Sequence, residues 1–163
     1  MRRIIYILAN VILSAIIFAS CSGVDEENTV NGFEYVDLGL PSGTKWAASN
    51  IGAKVPESTG SYFAWGEISE SNYTEAECET CNLSVSDLTK HEIIKSLRLT
   101  ADYDAATYNM GIGWQTPTKQ QYEELKSNCT WMWQDKPSGY KIVAKNGKSI
   151  FLPTTGYMSD GRN

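Results

Sequence analysis

The stretch from Gly113 to Trp133 (GWQTPTKQQYEELKSNCTWMW) constrains the fold most, because it carries both a start signal and a periodic face for one helix. Thr118 is placed to act as N-cap, and Gln121, three residues on, closes a capping box. Pro117 precedes the cap, where no helical N–H is lost. Tyr122, Leu125 and Cys129 then follow at i, i+3 and i+7 as one apolar stripe. Lys119, Gln120, Glu123, Glu124 and Lys126 take the wet side. The result is a short helix with one buried face, and Trp114, Trp131 and Trp133, three of the five tryptophans, lie at its two ends. This pattern speaks to packing, since an amphipathic helix serves any layered domain.

The other elements are short. Tyr140–Lys145, Asn146-Gly147 and Lys148–Leu152 read as a hairpin, because Asn-Gly favours the type I′ turn that matches strand twist. Pro153 stops it. Phe33–Leu38, Thr44–Ala48 and the aromatic run Ser61–Glu67 (SYFAWGE) have strand-like content. The turn Gly39–Gly43 (GLPSG) separates the first two. Residues 68–99 form a polar insert in which a helix is expected from Ser86 or Asp87 to Arg98, with Leu88, Ile93, Ile94 and Leu97 apolar. The fold class expected is α+β, with short antiparallel strands and hairpins packed on one or two helices.

The chain starts with an address. Arg2 and Arg3 precede an apolar run, Ile4–Ala19, that is short for a membrane span. It ends Phe18-Ala19-Ser20-Cys21, which resembles the lipobox of bacterial lipoproteins. The resemblance implies a signal peptide over residues 1–20, cleavage before Cys21, and acylation of the Cys21 thiol and new amino group. Each buried CH₂ of such an anchor contributes about 0.8 kcal/mol. Residues 21–32 then read as a flexible acidic tether. Within it, Asp25-Glu26-Glu27 is similar to the acidic export tag of Bacteroidetes surface lipoproteins. The expected location is the outer membrane, lipid-anchored and surface-exposed. The full chain has 14 basic and 19 acidic residues, a formal charge of −5. Losing Arg2 and Arg3 leaves 12 basic against 19 acidic, or −7. Such a balance argues against a nucleic-acid partner, which selects basic faces. Membrane attachment is expected through the acyl chains on Cys21.

Little in the chain points to chemistry. Cys78-x-x-Cys81 has three readings: a structural disulfide, free thiols, or a redox or metal site. A zinc ion would need further ligands such as Cys129 and His91, whose spacing is not diagnostic. Glu75, Glu77 and Glu79 surround the pair with negative charge, which opposes a reactive thiolate. His91 is the only histidine. It reads as solvated, and a histidine-based triad has nothing else to draw on. Asp102, Asp104 and Asn109 fall short of a calcium shell, and Asp104 reads more simply as a cap. No catalytic residue, metal or cofactor is assigned.

Several stretches occur in an order that resembles one family. They are Val36–Gly52 (VDLGLPSGTKWAASNIG), Tyr62–Glu67 (YFAWGE), Asp104–Leu125, Asn128–Trp133 (NCTWMW) and Gly139–Tyr157. Together they resemble the Fibrobacter succinogenes major paralogous domain, abundant in lipoproteins of Bacteroidetes. The resemblance implies a C-type lectin-like fold related to the formylglycine-generating enzyme, spanning residues 33–163. The family pattern continues beyond its glycine-tyrosine, so the domain reads as truncated. Formylglycine formation uses paired cysteines late in that domain and is not carried over. Two functions are set side by side. One is a non-enzymatic binding or adhesion module for a glycan or protein ligand, with Trp65, Trp131 and Trp133 as ligand-facing aromatics. The other is a redox-active or metal-binding protein using Cys78 and Cys81, or a fragment without function of its own.

Overall fold

A computed structural model describes residues 28–70 and 78–156. The signal segment, Cys21 and the acidic tether up to residue 27 lie outside this set. The architecture mixes small antiparallel sheets with a few short helices, which is compatible with α+β.

The chain enters through a tight hairpin. Strand β1 (Thr29–Val30) pairs antiparallel with β2 (Phe33–Val36), in register Thr29↔Glu34 and Val30↔Phe33. Asn31 and Gly32 make the turn, both with positive φ (55° and 81°), the conformation a type I′ turn requires. The expected tether therefore does not extend through Gly32. Asn31 Nδ2 donates to the carbonyls of Met110 (3.0 Å) and Ile112 (2.9 Å), and Trp114 Nε1 donates to Val30 O (3.0 Å). These bonds dock the turn on residues some eighty positions away, a partner that local composition does not reveal.

β2 pairs with β3 (Trp46–Ala47) in register Tyr35↔Ala47 and Val36↔Trp46. The loop between them carries Leu38 and Leu40 into the core. Ser42, at its tip, is held by Glu124: the Ser42 N–H and hydroxyl reach the two carboxylate oxygens at 2.8 and 2.6 Å. The segment Ser61–Glu67, expected as a strand, is irregular. Its backbone closes local turns instead of a ladder: Ser61 N–H donates to Ile51 O and Glu67 N–H to Ala64 O. Aromatic content made it look strand-like, but Gly60 and Gly66 at its edges both take positive φ, which suits turns.

Helix α1 (Val85–Lys90) is capped by Ser84, whose Oγ accepts from Asp87 N–H at 3.1 Å. It ends well short of the expected Arg98. A two-strand ribbon follows, β4 (Ile94–Lys95) with β5 (Arg98–Leu99), turning at Ser96-Leu97. The reason is geometric. Leu88 and Ile93 are five apart and would sit about 140° from each other on a continuous helix. Breaking the helix brings Leu88, Ile93 and Ile94 into one small cluster with Leu83, Leu99 and Tyr103.

A single 3₁₀ turn, Ala101–Tyr103, leads to α2 (Ala105–Met110). Asp104 caps α2. Its Oδ1 accepts from Ala106 N–H (2.9 Å) and Thr107 N–H (3.0 Å), and the carboxylate also binds Thr116 N–H and hydroxyl. The residue weighed for calcium thus spends its oxygens on the chain itself.

Helix α3 (Lys119–Asn128) has the capping box that Thr118 and Gln121 encode: Gln121 N–H to Thr118 Oγ1 at 3.3 Å, Thr118 N–H to Gln121 Oε1 at 2.9 Å. It runs directly into β6 (Cys129–Asp135), an element that the sequence reading does not assign. β6, β7 (Ser138–Ala144) and β8 (Ser149–Pro153) form a three-stranded meander. The β7–β8 turn is the Asn146-Gly147 hairpin, with Gly147 N–H on Ala144 O, and Asn146 Nδ2 reaches back to Asp37 O. Register places Cys129, Trp131 and Trp133 beside Ala144, Ile142 and Tyr140 on one face, with Ile150 and Leu152 next to them. That face meets α3 and the 38–46 loop. Leu125 and Ile142, both 0 % exposed, are its centre, surrounded by Leu38, Leu40, Trp46, Ala144 and Ile150.

Candidate functional site: an aromatic cleft and its disulfide rim

A cleft of about 970 Å³ opens between the irregular 61–67 segment, the β2–β3 hairpin and the start of α3. Its aromatic walls come from Tyr35, Trp46, Tyr62, Phe63, Trp65 and Trp114, with Tyr122 at one edge. Amides and hydroxyls punctuate them: Asn50, Gln115, Gln121, Thr59 and Thr116. Tyr62 bridges the two sides through a hydroxyl bond to Thr155 O.

Among the described residues two charged side chains line the cleft, Lys45 and Glu67, of opposite sign, and each is engaged. Lys45 Nζ lies 3.1 Å from Tyr35 Oη and 4.3 Å above a ring centroid, that of Tyr35, a cation–π arrangement. Glu67 Oε1 accepts from Glu79 N–H at 3.1 Å and lies 3.4 Å from Thr80 Oγ1. The lining is therefore close to neutral, apolar on its walls and polar at a few fixed points. Small-molecule sites commonly have that composition.

The floor continues into a row of edge-to-face aromatics. Trp46, Tyr122, Trp131, Tyr140 and Trp133 follow one another with ring centroids 6.3, 5.8, 5.6 and 5.1 Å apart. Such pairs contribute about 0.5–1.5 kcal/mol each beyond their burial. Trp46 and Trp131 flank Tyr122, and the indole N–H of each is buried without an acceptor among the described residues. Buried donors are rarely left so.

The three tryptophans singled out from sequence part company here. Trp65 is half-exposed and lines the cleft. Trp131 is half-buried within the row, outside the cleft lining. Trp133 is half-exposed at the row's far end, where its N–H donates to Asp135 Oδ1 at 2.8 Å. The cleft's other aromatics come from strands and loops distant in sequence, and no local pattern groups them.

Cys78 and Cys81 are joined by a disulfide with Cα atoms 5.5 Å apart. Cys78 is buried and Cys81 exposed. Exchange sites with this spacing need an accessible first sulfur and a helix start behind it. Here the first sulfur is covered, and the next helix begins at Val85. Cys129 is a free thiol, partly buried where α3 meets β6. Burial pushes its pKa up, and the neighbouring Lys145 pulls the other way. His91 is exposed at the end of α1. Among the described residues no cluster of histidine, cysteine and carboxylate side chains is placed to hold a metal ion, and no helix is long and apolar enough to cross a membrane. Comparison with protein-family models, with curated proteins and with solved structures finds no match.

Proposed function

We propose that this chain is a lipid-anchored, non-enzymatic binding module of the cell envelope, and that the aromatic cleft takes a segment of neutral glycan. The observation that carries this reading is the cleft's lining: aromatic faces set around amides and hydroxyls, with one positive and one negative side chain, Lys45 held on Tyr35 and Glu67 on the Glu79 N–H. A sugar ring has an apolar face that stacks on an aromatic side chain and a rim of hydroxyls that pairs with amides. The Trp46 N–H is a buried donor without an acceptor among the described residues. The lipobox-like end at Cys21 and the acidic segment after it supply the anchor and the outer-membrane address. The layout of short helices beside an antiparallel meander is in keeping with the C-type lectin-like fold that the family resemblance implies.

The test is binding of neutral polysaccharides to the full chain in non-ionic detergent, followed by tryptophan fluorescence. Saturable binding that Trp65→Ala weakens by at least about tenfold, the loss expected for a stacked aromatic anchor, supports the reading. Equal binding by wild type and Trp65→Ala, or preference for charged over neutral chains, overturns it.

A further inference from the structure

The rim of the cleft at Trp65 is not held by its own backbone ladder, because residues 61–67 form none. It is held from below by the disulfide loop. Thr80 is buried, and its hydroxyl donates to Trp65 O. Gly66 lies against the same side chain: a Cβ at Gly66 would come within 2.9–3.1 Å of Thr80 side-chain atoms, so the Thr80 side chain packs directly on the Gly66 backbone. The next residue, Glu67, accepts from Glu79 N–H, and its Oε1 is 3.7 Å from Cys78 Sγ. Three consecutive rim residues, Trp65, Gly66 and Glu67, are thus fixed by three consecutive loop residues, Cys78, Glu79 and Thr80. That loop is closed on itself by Cys78–Cys81, with Cys81 N–H on Cys78 Sγ at 3.1 Å.

We propose that the Cys78–Cys81 loop is a clamp that positions the Trp65 wall, so that the cleft is assembled only while this disulfide is closed. The inference rests on reading the cleft as the ligand site, but the clamp itself is a property of the fold. Opening it requires an external dithiol. One dithiol thiolate attacks the exposed Cys81 Sγ, and Cys78 leaves as a thiolate. The second dithiol sulfur then closes on the first and releases the Cys81 thiolate. The dithiol gives up two electrons and two protons and becomes a cyclic disulfide, and the protein ends with two thiols. A Cys78 thiolate released within reach of the Glu67 carboxylate is repelled, which favours return to the closed form. The bridge is therefore biased toward its closed, clamping state.

Hydrogen exchange read by mass spectrometry on the full chain tests this without any ligand. The peptide containing the Glu67 amide, which is bonded to Ala64 O, reports the rim; α3 is the reference. Reduction by dithiothreitol is expected to quicken exchange at the rim by at least about tenfold and leave α3 unchanged, as for a local opening. Thr80→Val, which keeps the disulfide and the side-chain volume, is expected to move the rim in the same direction. Glu67→Gln is expected to speed reduction severalfold by removing the repulsion. Unchanged rim exchange in the reduced chain overturns the clamp, and so does faster exchange throughout the domain. If the rim loosens as expected while no polysaccharide binds in either state, the clamp stands and the glycan reading fails.

Discussion

Two parts of the molecule are held by different physics. The sheet β6–β8 with α3 is held by burial: Leu125 and Ile142 are fully enclosed, and five further buried side chains close around them. The segment 78–99 has a much smaller buried cluster, Leu88, Ile93 and Ile94. It makes up the deficit with a disulfide, a serine cap on a six-residue helix and a two-strand ribbon. A stretch too polar to gain much from the hydrophobic effect needs covalent or hydrogen-bonded staples to overcome chain entropy. The cleft lies where the two parts meet, and its Trp65 wall is bonded to the stapled side.

The sharpest way to break this contrast is Leu125→Ala. A fully buried leucine cut to alanine costs about 2–5 kcal/mol, and urea unfolding followed by tryptophan fluorescence should lose that much. A loss under about 1 kcal/mol would mean that α3 and the meander are not the main source of stability. The double variant Cys78→Ser/Cys81→Ser comes next. Chain-entropy reasoning for so short a loop gives roughly 2 kcal/mol or less, and the loss should be confined to residues 65–99 by hydrogen exchange. A global loss equal to that of Leu125→Ala would erase the distinction between buried and stapled regions.

Thr118→Ala should cost about 1 kcal/mol, because it removes the Oγ1 that accepts from the Gln121 N–H and leaves that helix-terminal donor without its cap. Thermal unfolding by circular dichroism reads this directly. The smallest effect is a pH dependence at Cys129. Its folded-state pKa is raised by burial, so the folded chain holds this proton more tightly than the unfolded chain. The associated stability is complete below the unfolded thiol's value and is lost as pH rises from there through the folded value. Denaturation midpoints measured across the alkaline range should show this decline, and Cys129→Ala should flatten it.

The legible parts of the fold are those whose partners are close in sequence. Thr118 and Gln121 are three apart, and their box forms as read. Asn146-Gly147 turns the β7–β8 hairpin for the same reason. Asp104 caps α2 through amides two and three residues on, although its bonds to Thr116 needed the fold to bring that residue back. The segments that differ are governed from afar. Asn31 looks like tether in the sequence because its acceptors, Met110 and Ile112, lie some eighty residues away. The aromatic run 61–67 has strand-like content, but among the described residues no strand pairs with it to form a ladder. The helix expected to reach Arg98 stops at Lys90 because Ile93 and Ile94 bury against Leu88 only if the chain turns.

The candidate site divides in the same way. Sequence alone marked Trp65, Trp131 and Trp133 as large aromatics and Cys78 with Cys81 as a close pair. It determined which side chains were available, the caps, the hairpin turn, the acidic balance and the lipobox-like end at Cys21. Only the tertiary structure decided that Trp65 lines the cleft while Trp131 and Trp133 join the aromatic row. Strand register fixes which face of β6 a side chain takes, and the partner across that face is decided by packing. Only the tertiary structure, too, set Thr80 beneath Trp65, because a contact across fifteen residues of mostly polar chain depends on the whole fold closing around it.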